Sequence, residues 1–212
     1  MFSQKGSCVK NRLLYFLLAI VLLLVSAHIL TINASPVFHQ KFNLDSEGNV
    51  PTWFSTILLF CIAFYSFRVY RSEIKLQNTV RLNNIFWGMM SAAFLFLSVD
   101  EGAQLHEVFA ELHLIKWLFV YAPFTIIFLF ISYYYLYCEN CSKALRKWLV
   151  WGFTLYILGA FFFELFSYLY PPLPPGWQEV EYILEESLEM VGAILILVGT
   201  RKHWKQIKSV AP

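Results

Sequence analysis

The chain has 212 residues, of which 58% are hydrophobic, 19% aromatic and only 14% charged, with a net charge of +2. That mix excludes an ordinary soluble globular domain. No Gly-rich phosphate loop, basic stripe with interleaved aromatics or paired CxxC is present, so nucleotide chemistry and nucleic-acid binding have no foothold.

The apolar residues come in long runs rather than periodic stripes, the signature of membrane helices. Six spans fit, at about 13–31, 53–70, 85–107, 117–137, 148–170 and 179–200, in a single transmembrane domain over residues 1–212. The predicted fold is therefore all-α, a polytopic membrane protein with a six-transmembrane-helix bundle. The first run follows Lys5, Lys10 and Arg12, as a signal peptide would. It is longer than a usual apolar signal core and lacks a small-x-small cleavage site, so an uncleaved first span is expected.

Basic residues set the orientation. The N-terminal tail, the second-to-third loop (Arg68, Arg71, Lys75, Arg81), the fourth-to-fifth loop (Lys143, Arg146, Lys147) and the C-terminal tail (Arg201, Lys202, Lys205, Lys208) all fall on one side. Only Lys41 and Lys116 lie opposite. Both termini are expected in the cytoplasm. The acids segregate the other way, with only Glu73 and Glu139 on the inner side.

The first outer loop runs from Asn33 to Thr52. Gly48 and Pro51 mark turns, and Asp45 and Glu47 suit either loop solvation or a lid over an outer site. Asn33-Ala34-Ser35 matches a glycosylation acceptor, which matters only in a eukaryotic secretory pathway. Cys8, Cys138 and Cys141 fall on the inner side and Cys61 within a span, so structural disulfides are not expected. The lone Cys138–Cys141 CxxC lacks the partners a metal site needs. Four prolines within "PPLPP" stiffen the last outer loop.

The third run carries the sharpest feature. Ile85 to Val99 has no charge and then meets Asp100-Glu101, with His106-Glu107 soon after. At about 1.5 Å per residue, Asp100, Glu164 and Glu185 each lie roughly 24–28 Å from their inner basic anchors, on three different helices. Glu189 lies a turn deeper. In a regular helix Asp100, Gln104, Glu107 and Glu111 share one face, as do Gln178, Glu181, Glu185 and Glu189 in the last span, leaving Glu186 off the stripe. Gly192 and Gly199 extend the second stripe and permit a neighbouring helix to come close. Two acidic stripes facing lipid would be costly, so they should face each other or a wet cavity.

Packed carboxylates without Lys or Arg have three outlets: a bound metal or other cation, shared protons, or a cationic substrate. The candidate metal ligands are Asp100, Glu101, His106, Glu107, Glu164, Glu185 and Glu189. One His among carboxylates favours Mn, Mg, Ca or ferrous iron over Zn. HExxH and the ferritin-like ExxH pair are absent. His28, His39 and His203 carry no motif. Ser98 suits a bond back to its own helix better than a nucleophile's role. No catalytic residue and no organic cofactor is singled out.

Three motifs, PTWFS at Pro51–Ser55, LSxDExxxxHE at Leu97–Glu107 and EExxEMxG at Glu185–Gly192, resemble a family of uncharacterised bacterial six-span membrane proteins. The resemblance implies six spans and a bacterial inner (plasma) membrane, and no activity. Membrane hydrolases of the alkaline ceramidase class also combine Ser, Asp and His in their spans, but with several histidines where this chain offers one.

The first functional expectation is a carboxylate-rich cation or metal site open to the outer side, acting as a metal-dependent hydrolase on a lipid or lipid-linked substrate. A cation- or proton-coupled transporter is the alternative, and a non-catalytic accessory or sensor subunit the third class. The expected partners are the bilayer, a lipid or cation ligand, and a further copy or membrane partner.

Overall fold

The computed structural model describes residues 11–77, 82–106, 108, 117–138, 141–170 and 174–210. Within these residues the chain is helical and contains no strand. The helices are α1 (Arg12–Thr31), α2 (Pro36–Gln40), α3 (Val50–Gln77), α4 (Leu82–Ala103), α5 (Trp117–Cys138), α6 (Lys143–Ile157), a π-helical turn (Leu158–Phe163), α7 (Glu164–Leu169) and α8 (Pro175–Val210).

Five helical segments among the described residues are long and apolar enough to cross a membrane: Arg12–Thr31, Val50–Lys75, Asn83–Ala103, Leu118–Cys138 and Lys143–Leu169. The last helix, α8, has the length at 36 residues. Its five carboxylates, Glu179, Glu181, Glu185, Glu186 and Glu189, all lie N-terminal to Met190 and lower the hydropathy of its first half. That charge keeps it from standing out by hydropathy. Large apolar side chains circle the bundle: Leu22, Leu30, Phe124 and Phe130 are each 68–79% exposed. In water so much exposed apolar surface would drive association, whereas in lipid it meets its own solvent.

Packing follows sequence order only in part. α3 and α4 lie side by side, α6 packs on α8, and α8 also meets α3 and α1, while α5 rests on α4. Glycines bring α6 and α8 together. A Cβ at Gly192 would stand 2.5 Å from the Tyr156 backbone nitrogen, and one at Gly199 2.6 Å from Trp148 Cβ. The close approach expected of Gly192 and Gly199 is therefore present, with Gly152 of α6 facing Gly192, and Gly159 of the π turn set against Glu185 and Glu189. Where small residues face each other, backbones close up and dispersion contacts multiply. At the basic end, Phe86 stacks on Tyr135 with ring centres 4.0 Å apart, and Trp87 Nε1 donates to Tyr135 Oη at 3.2 Å, which ties α5 to α4.

Two features depart from a regular bundle. Expected to run on to Glu107, α4 instead ends at Ala103, because Gln104 takes φ +58°. A left-handed residue commonly terminates a helix, but that place usually falls to glycine. The second feature is the π turn, which interrupts the fifth predicted span and sets Glu164 at the start of α7.

Candidate functional site

The acidic end of the bundle is organised by the loop between α2 and α3. Asn49 is buried and holds that loop from within. Its Nδ2 donates to the carbonyls of Asn43 (2.6 Å), Ser46 (2.6 Å) and Gln40 (3.3 Å). Its Oδ1 accepts from the Thr52 backbone N–H and Oγ1, an N-cap for α3. Val50 N–H closes the loop on the Lys41 carbonyl at 3.2 Å. Leu44, 3% exposed, plugs into the bundle.

Two histidines receive this loop. His28 of α1 is fully buried. Its Nδ1 accepts from the Leu44 backbone N–H at 3.1 Å, so Nε2 carries the proton and donates to Glu179 Oε2, also at 3.1 Å. His39 lies beside it, ring centres 5.4 Å apart, with Nδ1 3.1 Å from Thr31 Oγ1. Neither histidine carries a motif, and nothing local in the sequence marks them. Their role rests on contacts 16 and 151 residues away.

His106 receives the other side of the loop. Nε2 lies 2.7 Å from Glu47 Oε1, and Nδ1 lies 3.3 Å from Asp100 Oδ2. In a regular helix His106 would point away from Asp100. The break at Gln104 turns it back, and Gly48, itself at φ +70°, lets the loop approach the Gln104 amide. Asp100 is buried and also accepts from Tyr121 Oη at 2.9 Å. Burial by itself would lower the His106 pKa, but its bonds to Asp100 and Glu47 and their charges reverse that and push it up to about 10. His106 is therefore an imidazolium at neutral pH. Glu47 Oε2 is buried and has no hydrogen-bond partner among the described residues.

The remaining acids lie below. Glu101 of α4 is within electrostatic reach of Glu47, His106 and Asp100. Glu186 of α8 feels Glu101, Glu185, Glu47 and Asp45, and Glu189 feels Glu186, Glu101 and Glu185. Tyr156 of α6 stands in the field of Glu189, Glu101, Asp100 and Glu186. Glu186, off the expected stripe, thus belongs with Glu101. Glu164 acts on Glu185, which also feels Glu181 and Asp45, and Glu181 accepts from Ser167 Oγ at 2.7 Å. The π turn packs closely on α8 at this level, since a Cβ on Gly159 would meet Glu189 Cγ at 2.6 Å and the Glu185 carbonyl at 2.8 Å. Such π turns recur at functional sites.

Of the candidate ligands, the structure joins Asp100 to His106, groups Glu101 with Glu189, and sets Glu164 by Glu185. Glu107, Glu111, His113 and Lys116 lie outside the described residues. Among the described residues no three His, Cys, Asp or Glu side chains stand ready to hold a metal ion. Ser98 donates across to the Thr56 carbonyl of α3 at 3.0 Å rather than back to its own helix, so its hydroxyl is a helix–helix clamp. The sequence alone treats Lys and Arg as the counterions and leaves only Lys41 and Lys116 on the acidic side. The ion pairs between described residues are all made by histidine.

The chain belongs to a family described as a domain of unknown function, DUF8692, whose pattern matches residues 13–203. Comparison with curated proteins and with solved structures gave no match.

Proposed function

We propose that this family member crosses the bilayer six times, with both termini in the cytoplasm, and binds protons or a small cation at its acidic end, reached from the outer side. Membership of the family supplies the helical domain and no chemistry, so the reading rests on the site. Its carrying observation is that Glu186 and Glu189 on α8 lie within electrostatic reach of Glu101 on α4 and of further carboxylates. His106 and His28 already serve Asp100, Glu47 and Glu179 at the rim. Carboxylates this close in a poorly solvated bundle do not all stay ionised without a positive partner. The loop held by Asn49 serves as their lid, since its Asp45 and Glu47 lie within electrostatic reach of Glu186.

Spans and orientation follow from the basic residues. Arg68 lies over Trp204, Arg146 over Tyr137 and Lys202 over Trp148, a basic and aromatic belt at one end of the bundle. α8 becomes the sixth span because its acids have partners within the bundle, Glu179 at His28 of α1, Glu181 at Ser167 of α7, and Glu186 and Glu189 within electrostatic reach of Glu101 of α4. A cytoplasmic reporter fused to the C-terminus should be active, and a periplasmic one inactive.

The site is tested by thermal unfolding in detergent between pH 5 and 8, with and without chelator. Shared protons predict a melting temperature that rises as pH falls, because a neutral acid needs no counterion, and indifference to chelator. Glu189→Gln should flatten that slope. A loss of stability with chelator, restored by Mn, Mg or Ca, would assign the site to a divalent ion and favour the hydrolase reading. Stability unmoved by pH, chelator and Glu189→Gln alike would overturn the cation site.

A further inference from the structure

We propose that the loop spanning residues 41–50 is an acid-released lid, pinned by neutral His28 and freed when His28 takes up a second proton. The proposal rests on reading this loop as the cover of the acidic end, but its test does not depend on what the site binds.

The argument is one of donors and acceptors. The Leu44 backbone N–H can only donate, and it points at His28 Nδ1 at 3.1 Å. Nδ1 accepts only while it carries no proton. A doubly protonated ring would set an N–H against an N–H, and this anchor would be lost. Leu44 and His28 are both buried, so no water is at hand to replace it without opening the loop. Nε2 would keep its contact with Glu179 in either state. Protonation therefore does not expel His28 from its place; it removes only the contact with the loop.

The groups that face His28 are known. Glu179 comes from α8, His39 from α2 and Asp45 from the loop itself. Leu44 arrives as backbone. The second pin, Glu47 on His106, does not let go in the same range, because His106 keeps its proton up to about pH 10. One side of the lid is thus acid-labile and the other is not, so the lid swings rather than detaches. Asn49 holds the loop's internal turn through three carbonyls and keeps it folded as it moves.

Hydrogen exchange of the intact protein in detergent, read by mass spectrometry on the peptide covering residues 41–50, tests this. Rates are corrected for intrinsic pH dependence. Exchange should be about tenfold faster at pH 5 than at pH 7.5, the worth of one buried hydrogen bond. A peptide within α6 should show no such change, which separates lid opening from unfolding. His28→Asn offers a side-chain oxygen near the place of Nδ1 that does not titrate, and should remove the acid response while keeping protection at pH 7.5. Asp45→Asn should leave the response intact. Protection that is flat in the parent protein, or an acid response that survives His28→Asn or disappears with Asp45→Asn, would overturn the proposal. Failure here leaves the Glu189→Gln result untouched, and the converse holds too.

Discussion

The two ends of the bundle are held by different physics. At the basic end, α6 and α8 meet through Gly152, Gly192 and Gly199, and α4 holds α5 through the stack of Phe86 on Tyr135. Contacts there are dispersion and shape, with Leu149, Ile194 and Ile196 fully buried. At the acidic end α4 breaks at Gln104, a π turn interrupts the run from α6 to α7, and polar side chains make the joints. Inside lipid the hydrophobic effect does not drive helices together, so close packing must do it. At the acidic end charge pairs and hydrogen bonds are added to the packing, and these respond to protons. The basic end is thus held by shape, and the acidic end by contacts whose strength depends on protonation.

The largest test of that contrast is Gly192→Leu. The added side chain begins 2.5 Å from the Tyr156 backbone nitrogen, where nothing flexible can yield. A cost of about 3 kcal/mol or more is expected, seen as loss of monodisperse protein in size-exclusion chromatography. Gly176→Leu, with nothing within 4 Å, should be silent.

His106→Ala comes next. It strands Asp100 and Glu47 together and should cost about 2 kcal/mol in thermal unfolding. Its pH dependence has a definite sign. The His106 pKa is raised in the folded state, to about 10, so its contribution is complete below the unfolded value near 6.5 and is lost as pH rises through 10. The gap in melting temperature between parent and variant should be widest near pH 6 and narrow steadily above pH 7. A gap that widens with pH would show that His106 is not the cation of this cluster.

Tyr121→Phe removes one donor from Asp100 and should cost about 1 kcal/mol, with the same assay. The smallest effect belongs to the basic end. Arg68→Gln gives up a guanidinium 4.9 Å from the Trp204 ring centre, about 0.5 kcal/mol. If Arg68→Gln proved costlier than His106→Ala, the division into a packed end and a charged end would fail.

Hydropathy, charge and glycine spacing are local quantities, and whatever depends on them was legible in the chain itself. The apolar runs mark where the helices lie: Trp117–Cys138 departs by one residue from the expected 117–137. Gly192 and Gly199 disclosed a close helix contact because a missing Cβ is a property of one position. The crowding of acids towards one end could be read the same way. Tertiary structure decided which acid meets which partner. Gln104 is an ordinary residue by type and lies against the loop at Gly48, yet its left-handed turn redirects His106 to Asp100. The π turn shifts helical phase by a residue's worth, which no periodic reading starting from Trp148 anticipates. His28 finds Leu44 and Glu179 only once α1, the loop and α8 are assembled. A helix wheel assumes an unbroken helix, and counterions are chosen through space. Backbone breaks and distant contacts therefore decided the site, while the sequence by itself determined the bundle that carries it.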